Sequence, residues 1–394
     1  MSLAIHPYIQ NYIPGDYATS LPSGPVKIDC SMGVNADLLG SCIFQRLHEF
    51  QQRTNVYHGN YADIKYYPHG GHLTDALASW YLQNNVGQGW LTGENFILGN
   101  GSYDILCNLN HLCLTRGKRV LGHAPQFTAY VDHVHCCGAE YDAYYMAPED
   151  GYRFHARAYL AKMSEEHSLF ILENPNNPTG QLLPLNDIRR IAQRALALDR
   201  ILVVDEAYGE YIPFSSSAIN LLPEFPNLIV TRSFSKGWGM AGVRLGYAVA
   251  SPHGDLLPQL HKLVLPFNSN GIARVLAQTA LQSKFENPAD PFGIRPVQKN
   301  KRALTAAIAR LNTGRTVPLR IAATYKSTPI LMLYYEGGGA DFHLQRHLMN
   351  SGILTVSCES YPGLDGRAVR LMLPDETSMP LLLSLLEDAV LSLP

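Results

Sequence analysis

The sequence predicts an α/β protein: a large domain with a mostly parallel, doubly wound sheet, plus a smaller α+β domain at the C-terminal end. Three observations carry that class. Short aliphatic runs bounded by turn residues recur through the middle of the chain, with helix-period stretches between them. After about residue 290 the order changes to long amphipathic helices alternating with isolated strands. The 394 residues are 46% apolar, enough for more than one core and too apolar for a disordered chain.

The elements follow in order. Residues 1–45 are rich in Pro, Gly and Tyr and read as an N-terminal arm that joins part of the small domain. Residues 46–290 form the expected large domain, whose strands are NFILGNG (95–101), KRVLGHAP (118–125), SLFILENP (168–175), RILVVDEAY (200–208) and NLIVTRSFS (227–235). Four or five consecutive apolar residues mark strands covered on both faces, and SYDILCNLNHLCL (102–114) and PLNDIRRIAQRALAL (184–198) supply covering helices. Residues 291–394 form the small domain, with helices over 295–311, 341–352 and 379–393. Its strands are expected at PILMLYYE (329–336), ILTVSC (353–358) and RAVRLMLP (367–374).

Charge and cysteine usage narrow the function classes. Thirty-one basic residues against 33 acidic ones leave no positive field for a nucleic acid or an anionic membrane. No apolar stretch reaches the roughly 18 residues of a membrane span. The opening MSLAIHPYIQNYIPGDY has neither a basic leader nor a long apolar run, so no secretory signal is expected. Seven cysteines without CxxC spacing suggest reduced thiols and a cytoplasmic protein.

Polar residues cluster where strands end, which is where a doubly wound sheet presents ligands. Gly101-Ser102-Tyr103 joins a strand to a helix start, with backbone N–H groups suited to a phosphate. Asn174 to Gly180 is either a Pro-rich turn or a binding loop, and Asp205 either caps a helix or enters a cleft. Ser233, Ser235, Lys236 and Arg244 would bind an anion or lie on an ordinary surface. A histidine–cysteine run, His133 to Cys137, would place His133 and His135 on one face of a strand. No second ligand pair stands at metal-site spacing, and no metal is expected.

Taken together, NPNNPTG, VVDEAY and SFSKGWGMAGVRLGY resemble the motifs of fold-type I pyridoxal-phosphate enzymes, the class I/II aminotransferases. The spacings are 28 residues from Asn177 to Asp205, 31 to Lys236 and 8 to Arg244. The resemblance implies pyridoxal 5'-phosphate as cofactor, held as a Schiff base on Lys236, which then moves the proton in a 1,3 shift. It implies that Asp205 pairs with the ring nitrogen and that Asn177 and Tyr208 hydrogen-bond the ring oxygen. Ala207 and Phe127 would cover the two ring faces, with Tyr130 as the alternative to Phe127. Arg244, Ser233, Ser235 and the Gly101-Ser102-Tyr103 turn would hold the phosphate. Arg370, or Arg367 if the alignment slips, would take the substrate carboxylate. Tyr67, or Tyr66, would reach the phosphate of a second subunit, making the protein a homodimer.

Tyr12-Ile13-Pro14-Gly15 and KIDCSMGVNADLLG resemble the opening of histidinol-phosphate aminotransferases, implying substrate contacts from Tyr12 and Asn35. Ala36 replaces that branch's proline, which leaves the substrate open. The expected reaction is transamination of an amino acid with a 2-oxo acid. The alternatives are a cyclase, eliminase or decarboxylase of a specialised amino acid on the same scaffold. A ligand-sensing domain of a transcription regulator is less expected, because the family-like opening begins by residue 12.

Overall fold

The computed structural model describes residues 5–10, 12–15, 24–33, 48, 67–68, 72–286, 290–339 and 341–394. In chain order these carry α1 (Pro7–Gln10), β1 (Ile28–Asp29), α2 (His72–Gln83), β2 (Phe96–Gly99), α3 (Ser102–Cys113), β3 (Arg119–Ala124), α4 (Thr128–Cys136) and β4 (Glu140–Tyr145). There follow α5 (Ala156–Lys162), β5 (His167–Glu173), α6 (Leu185–Ala197), β6 (Ile201–Asp205), β7 (Leu228–Ser233), β8 (Gly246–Ala250), α7 (Leu256–His261) and α8 (Gly271–Glu286). The remainder is α9 (Ile294–Leu311), β9 (Leu319–Ile321), β10 (Ile330–Tyr335), α10 (Leu344–Asn350), β11 (Ile353–Leu354), β12 (Val356–Ser357), β13 (Ala368–Met372) and α11 (Met379–Leu391).

Seven strands form the large sheet in the order β2-β8-β7-β6-β5-β3-β4. All run parallel except β8, which is antiparallel to both β7 and β2. The aliphatic runs fill two cores because alternate residues face opposite sides. Phe170, Leu172, Leu202, Val204, Leu228 and Val230 point to one core, and Ile171, Val203 and Ile229 to the other. That double burial is why these strands read as unbroken apolar runs.

Two strands of this sheet were not expected. β4 is an edge strand with mostly half-buried or exposed residues, so its sequence EYDAYY lacks the apolar run. β8, GYAVA, follows directly on a glycine-rich segment and has no run of large aliphatic residues, its one large side chain being Tyr247. His133 and His135 also stand differently from the expected strand, because they lie on helix α4. Its buried Tyr130, Val131 and Val134 recur at helical spacing.

A second, four-stranded antiparallel sheet has the order β12-β13-β10-β9. The single strand expected at 353–358 is divided: β11 pairs with β1 from the arm, while β12 joins β13. The fully buried Thr355 stands between the two pieces. Helices α9 and α11 cover this sheet around Leu304, Ile308, Leu382 and Leu386.

Candidate active site

Parallel strands deliver their last residues to one edge, and here that edge carries a row of polar side chains. Glu173, Asp205 and Thr231 stand side by side in register on β5, β6 and β7. Glu173 and Asp205 border a cavity of about 200 Å³ lined also by Ser102, Tyr103, Phe127, Asn177, Ala207, Tyr208, Ser233, Ser235, Lys236 and Arg244. Residues drawn from five separate segments of the sequence are thus brought together.

One end of the cavity is shaped for an anion. The first turn of α3 begins at Ser102, with backbone N–H groups that lack carbonyl partners inside the helix. Gly101 has φ +85°, and a Cβ there would come within 2.7 Å of Arg244 Nη2, so a side chain would displace the guanidinium. Arg244 Nη1 donates to the Ala241 carbonyl at 2.9 Å and to Ser235 Oγ at 3.4 Å. Ser233 Oγ accepts from the Ser235 N–H at 3.0 Å, which fixes the turn leading to Lys236.

The centre of the cavity holds a buried acid and a lysine. Asp205 accepts from Thr231 Oγ1 at 2.7 Å. Burial pushes its carboxyl up to about 6, although Thr231 and the nearby Lys236 ammonium pull the other way. Lys236 Nζ lies 5.4 Å from the centre of the Tyr208 ring. The Tyr208 hydroxyl is buried and has no hydrogen-bond partner among the described residues. It sits against Gly33, where a Cβ would approach it to 2.4 Å.

At the other end, Asn177 Oδ1 accepts from Tyr361 Oη at 3.3 Å and from Arg370 Nη1 at 3.4 Å. Arg370 Nη2 donates to the Ser31 carbonyl at 2.8 Å, and the side chain is only 2% exposed. Arg367 is half-buried and turns to the Gly339 carbonyl instead. Among the two aromatic candidates, Phe127 lines the cavity, whereas Tyr130 is in the core with its hydroxyl donating to Asn110 Oδ1 at 3.0 Å.

Of the remaining expected contacts, one stands away from the cavity. Tyr12 does not line the cavity: its hydroxyl donates to Asp132 on the outer side of α4, and its ring lies 5.5 Å from that of His135. The arm packs there because Asp132 also accepts from the Gly15 N–H. Tyr67 is 73% exposed and stacks on Phe267 at 4.5 Å. Asn35 and Tyr66 lie outside the described residues.

Glu173 escaped the sequence reading. Its carboxylate oxygens accept from the Phe127 N–H at 2.9 Å, the Asn177 N–H at 3.1 Å and Asn176 Nδ2 at 3.0 Å. One side chain therefore ties the Phe127 loop to the Asn177 loop. Burial, reinforced by the neighbouring Asp205, holds this carboxyl well above the usual range. An acidic residue ending an otherwise apolar run was the available signal. Tyr361 and Ser31 gave none, because they approach from distant parts of the chain.

The profile of the class I and II aminotransferase family matches residues 27–381. The chain belongs to that family. It is 34% identical over 226 residues to histidinol-phosphate aminotransferase 2 of Nitrosospira multiformis, covering 56% of this chain and 54% of that protein. With the histidinol-phosphate aminotransferase of Symbiobacterium thermophilum it shares 31% identity over 298 residues, 75% of this chain and 77% of the other. The match spans only about half the length of the first two curated relatives. A solved structure of histidinol-phosphate aminotransferase from Sinorhizobium meliloti, in complex with pyridoxal-5'-phosphate, superimposes with a TM-score of 0.74. It covers 100% of this chain and 99% of its own at 21% identity, a likeness of fold.

Proposed function

We propose that this chain is a pyridoxal-phosphate-dependent aminotransferase acting on an amino acid and a 2-oxo acid. The observation that carries the proposal is the convergence of Lys236, Asp205 and the unpartnered Tyr208 hydroxyl on one cavity with an anion-binding end. The residues present fit the cofactor: among the described residues the buried Asp205 carboxyl has no ion-pair partner in contact, and the Tyr208 hydroxyl has no hydrogen-bond partner. When bound, pyridoxal phosphate supplies an electron-accepting ring conjugated to the substrate nitrogen, which makes the α-proton removable.

Each residue then has one task. Asp205 holds a proton on the ring nitrogen, and Tyr208 donates to the ring oxygen alongside Asn177. Phe127 and Ala207 cover the ring faces and exclude water. Arg244, Ser233, Ser235 and the N–H groups at Gly101-Ser102-Tyr103 bind the phosphate. Lys236 binds the cofactor covalently at rest, and its freed amine takes the proton from the substrate Cα. Arg370 pairs with the substrate carboxylate from the small-domain side, fixed by Ser31 and Asn177. We place the division between the large and small units near residue 290.

The relatives' named substrate, histidinol phosphate, is the second reading, favoured by the matches themselves. A decarboxylase or cyclase on the same scaffold would keep the same cofactor residues. We further infer a cytoplasmic homodimer, supported by the exposed apolar group of Tyr67, Leu265, Phe267 and Ile272. Among the described residues no helix is long and apolar enough to cross a membrane.

The test mixes cofactor-loaded protein with a panel of amino acids and histidinol phosphate, without an acceptor. Release of an oxo product with conversion of the cofactor to its amine form is the expected result. Release of carbon dioxide, water or a cyclised product with the cofactor unchanged would move the chain to the lyase reading. Lys236→Ala should lose the borohydride-trapped cofactor adduct seen by mass, and turnover should fall by about 10²–10⁴-fold or more. Full activity in that variant would end the proposal.

A further inference from the structure

On helix α4, residues four apart share a face, so His133 stands over Cys137 and not beside His135. Helix α3 packs against α4 and adds His111 from its last turn. One ring nitrogen of each histidine and the Cys137 sulfur lie within 4.8 Å of one another. Cys137 Sγ is already 3.8 Å from His133 Nδ1, and the His111 and His133 ring centres are 5.0 Å apart. A zinc ion with bonds of about 2.0–2.3 Å sets its donors roughly 3.5 Å apart, so modest side-chain rotation closes the set.

We propose that His111, His133 and Cys137 form a binding site for a zinc-type divalent cation, with water as the fourth ligand. Two imidazoles and one thiolate suit zinc over magnesium or calcium, which prefer oxygen. The electrostatics favour a cation here, because two helix C-termini converge on the site. His111 lies in the last turn of α3, His133 in the last turn of α4, and Cys137 caps α4. The fully buried Asn110 orients the His133 ring, its amide lying 3.1 Å from Nδ1, and Tyr130 anchors that amide. Nδ1 is the ring nitrogen that faces Cys137, so it coordinates the ion and the Asn110 amide gives up its contact with Nδ1 on binding. On binding, the Cys137 thiol gives up its proton to solvent.

The ion joins the far ends of the two helices whose near ends carry Ser102, Tyr103 and, just before α4, Phe127. It touches no residue assigned to the reaction, so its expected effect is on stability and not on turnover.

The test titrates Zn²⁺ alone into reduced, metal-free holoprotein at pH 8 against a chelating dye, and follows Co²⁺ binding by its thiolate charge-transfer band. One ion per chain at a Kd tighter than about 10 µM is expected, with a melting temperature that rises with Zn²⁺. Loss of an outer partner alone costs about 10–100-fold in metal affinity, so His111→Ala and Cys137→Ser should each cost about 100-fold or more. Cys136→Ser should keep the site, and Cys137→Ser should abolish the cobalt band. His111 is exposed, so its variant keeps the fold intact. Binding weaker than that limit, or binding indifferent to the His111 and Cys137 substitutions, would overturn the proposal.

Discussion

Asp205 shows how a single side chain can be costly to the empty protein and useful to the loaded one. Its carboxyl titrates near 6 in the fold against an ordinary 3.8, because burial penalises its charged form. A raised acid pKa means that the unfolded chain loses its proton first as pH rises. Asp205 therefore adds no penalty below about pH 4, and the folded apoprotein loses stability as pH climbs through 6. The shift corresponds to on the order of 3 kcal/mol. Asp205→Asn removes that loss, so the variant apoprotein should be more stable than wild type at pH 7.5 and nearly equal to it at pH 4. Urea denaturation of both apoproteins at the two values checks this, and equal pH profiles would show that Asp205 is not the group responsible. If Asp205 has the proposed role, the same variant should bind pyridoxal phosphate more weakly, because the ring nitrogen would lose its counter-charge.

At the scale of elements, the loop after β6 is anchored from β7. Arg232 on β7 reaches Glu206 at 2.8 Å and Glu210 at 3.5 Å, and all three are buried. Gly209 lets the guanidinium pass, since a Cβ there would meet Arg232 Nη1 at 2.0 Å. Ser217 Oγ and the Ala218 N–H donate to Glu206, each at 2.7 Å, completing its set of partners. Burial raises the Glu210 carboxyl to about 7 despite the arginine, so this acid is poorly tolerated once unpaired. Arg232→Met should cost about 3–5 kcal/mol in urea denaturation, the range for a buried charge left without its partner. Tyr208 rides on the same loop, so cofactor affinity should fall with stability. A loss below about 1 kcal/mol would mean that the two glutamates find other partners.

At the scale of the whole molecule, several large apolar side chains are exposed among the described residues, including Tyr67 at 73% stacked on Phe267 at 52%, with Leu265 at 69% and Ile272 at 47% exposure. Phe267→Asp should convert a dimer to monomers in sedimentation at micromolar concentration, with the far-ultraviolet spectrum unchanged. A variant that sediments as wild type does would remove this face from the interface.

The large sheet was legible because five of its strands are covered on both sides, so burial writes itself into the sequence as unbroken apolar runs. β4 and β8 were not, one being a half-exposed edge and the other, GYAVA beside glycines, lacking a run of large aliphatic residues. The cavity residues on the 174–180 loop, the 205–208 turn and the 233–244 segment were legible for a related reason. Each sits within a few residues of a strand end, where local order and spacing carry the pattern. By itself, then, the sequence determined the fold class, the cofactor motifs and the strand ends that present them. Only the tertiary structure decided that Glu173 ties two loops together, that Arg370 and not Arg367 turns inward, and that Tyr12 lies against α4. It alone brought His111 to His133 and Cys137. Those outcomes depend on contacts between segments far apart along the chain, and neither periodicity nor spacing records which distant surfaces will meet.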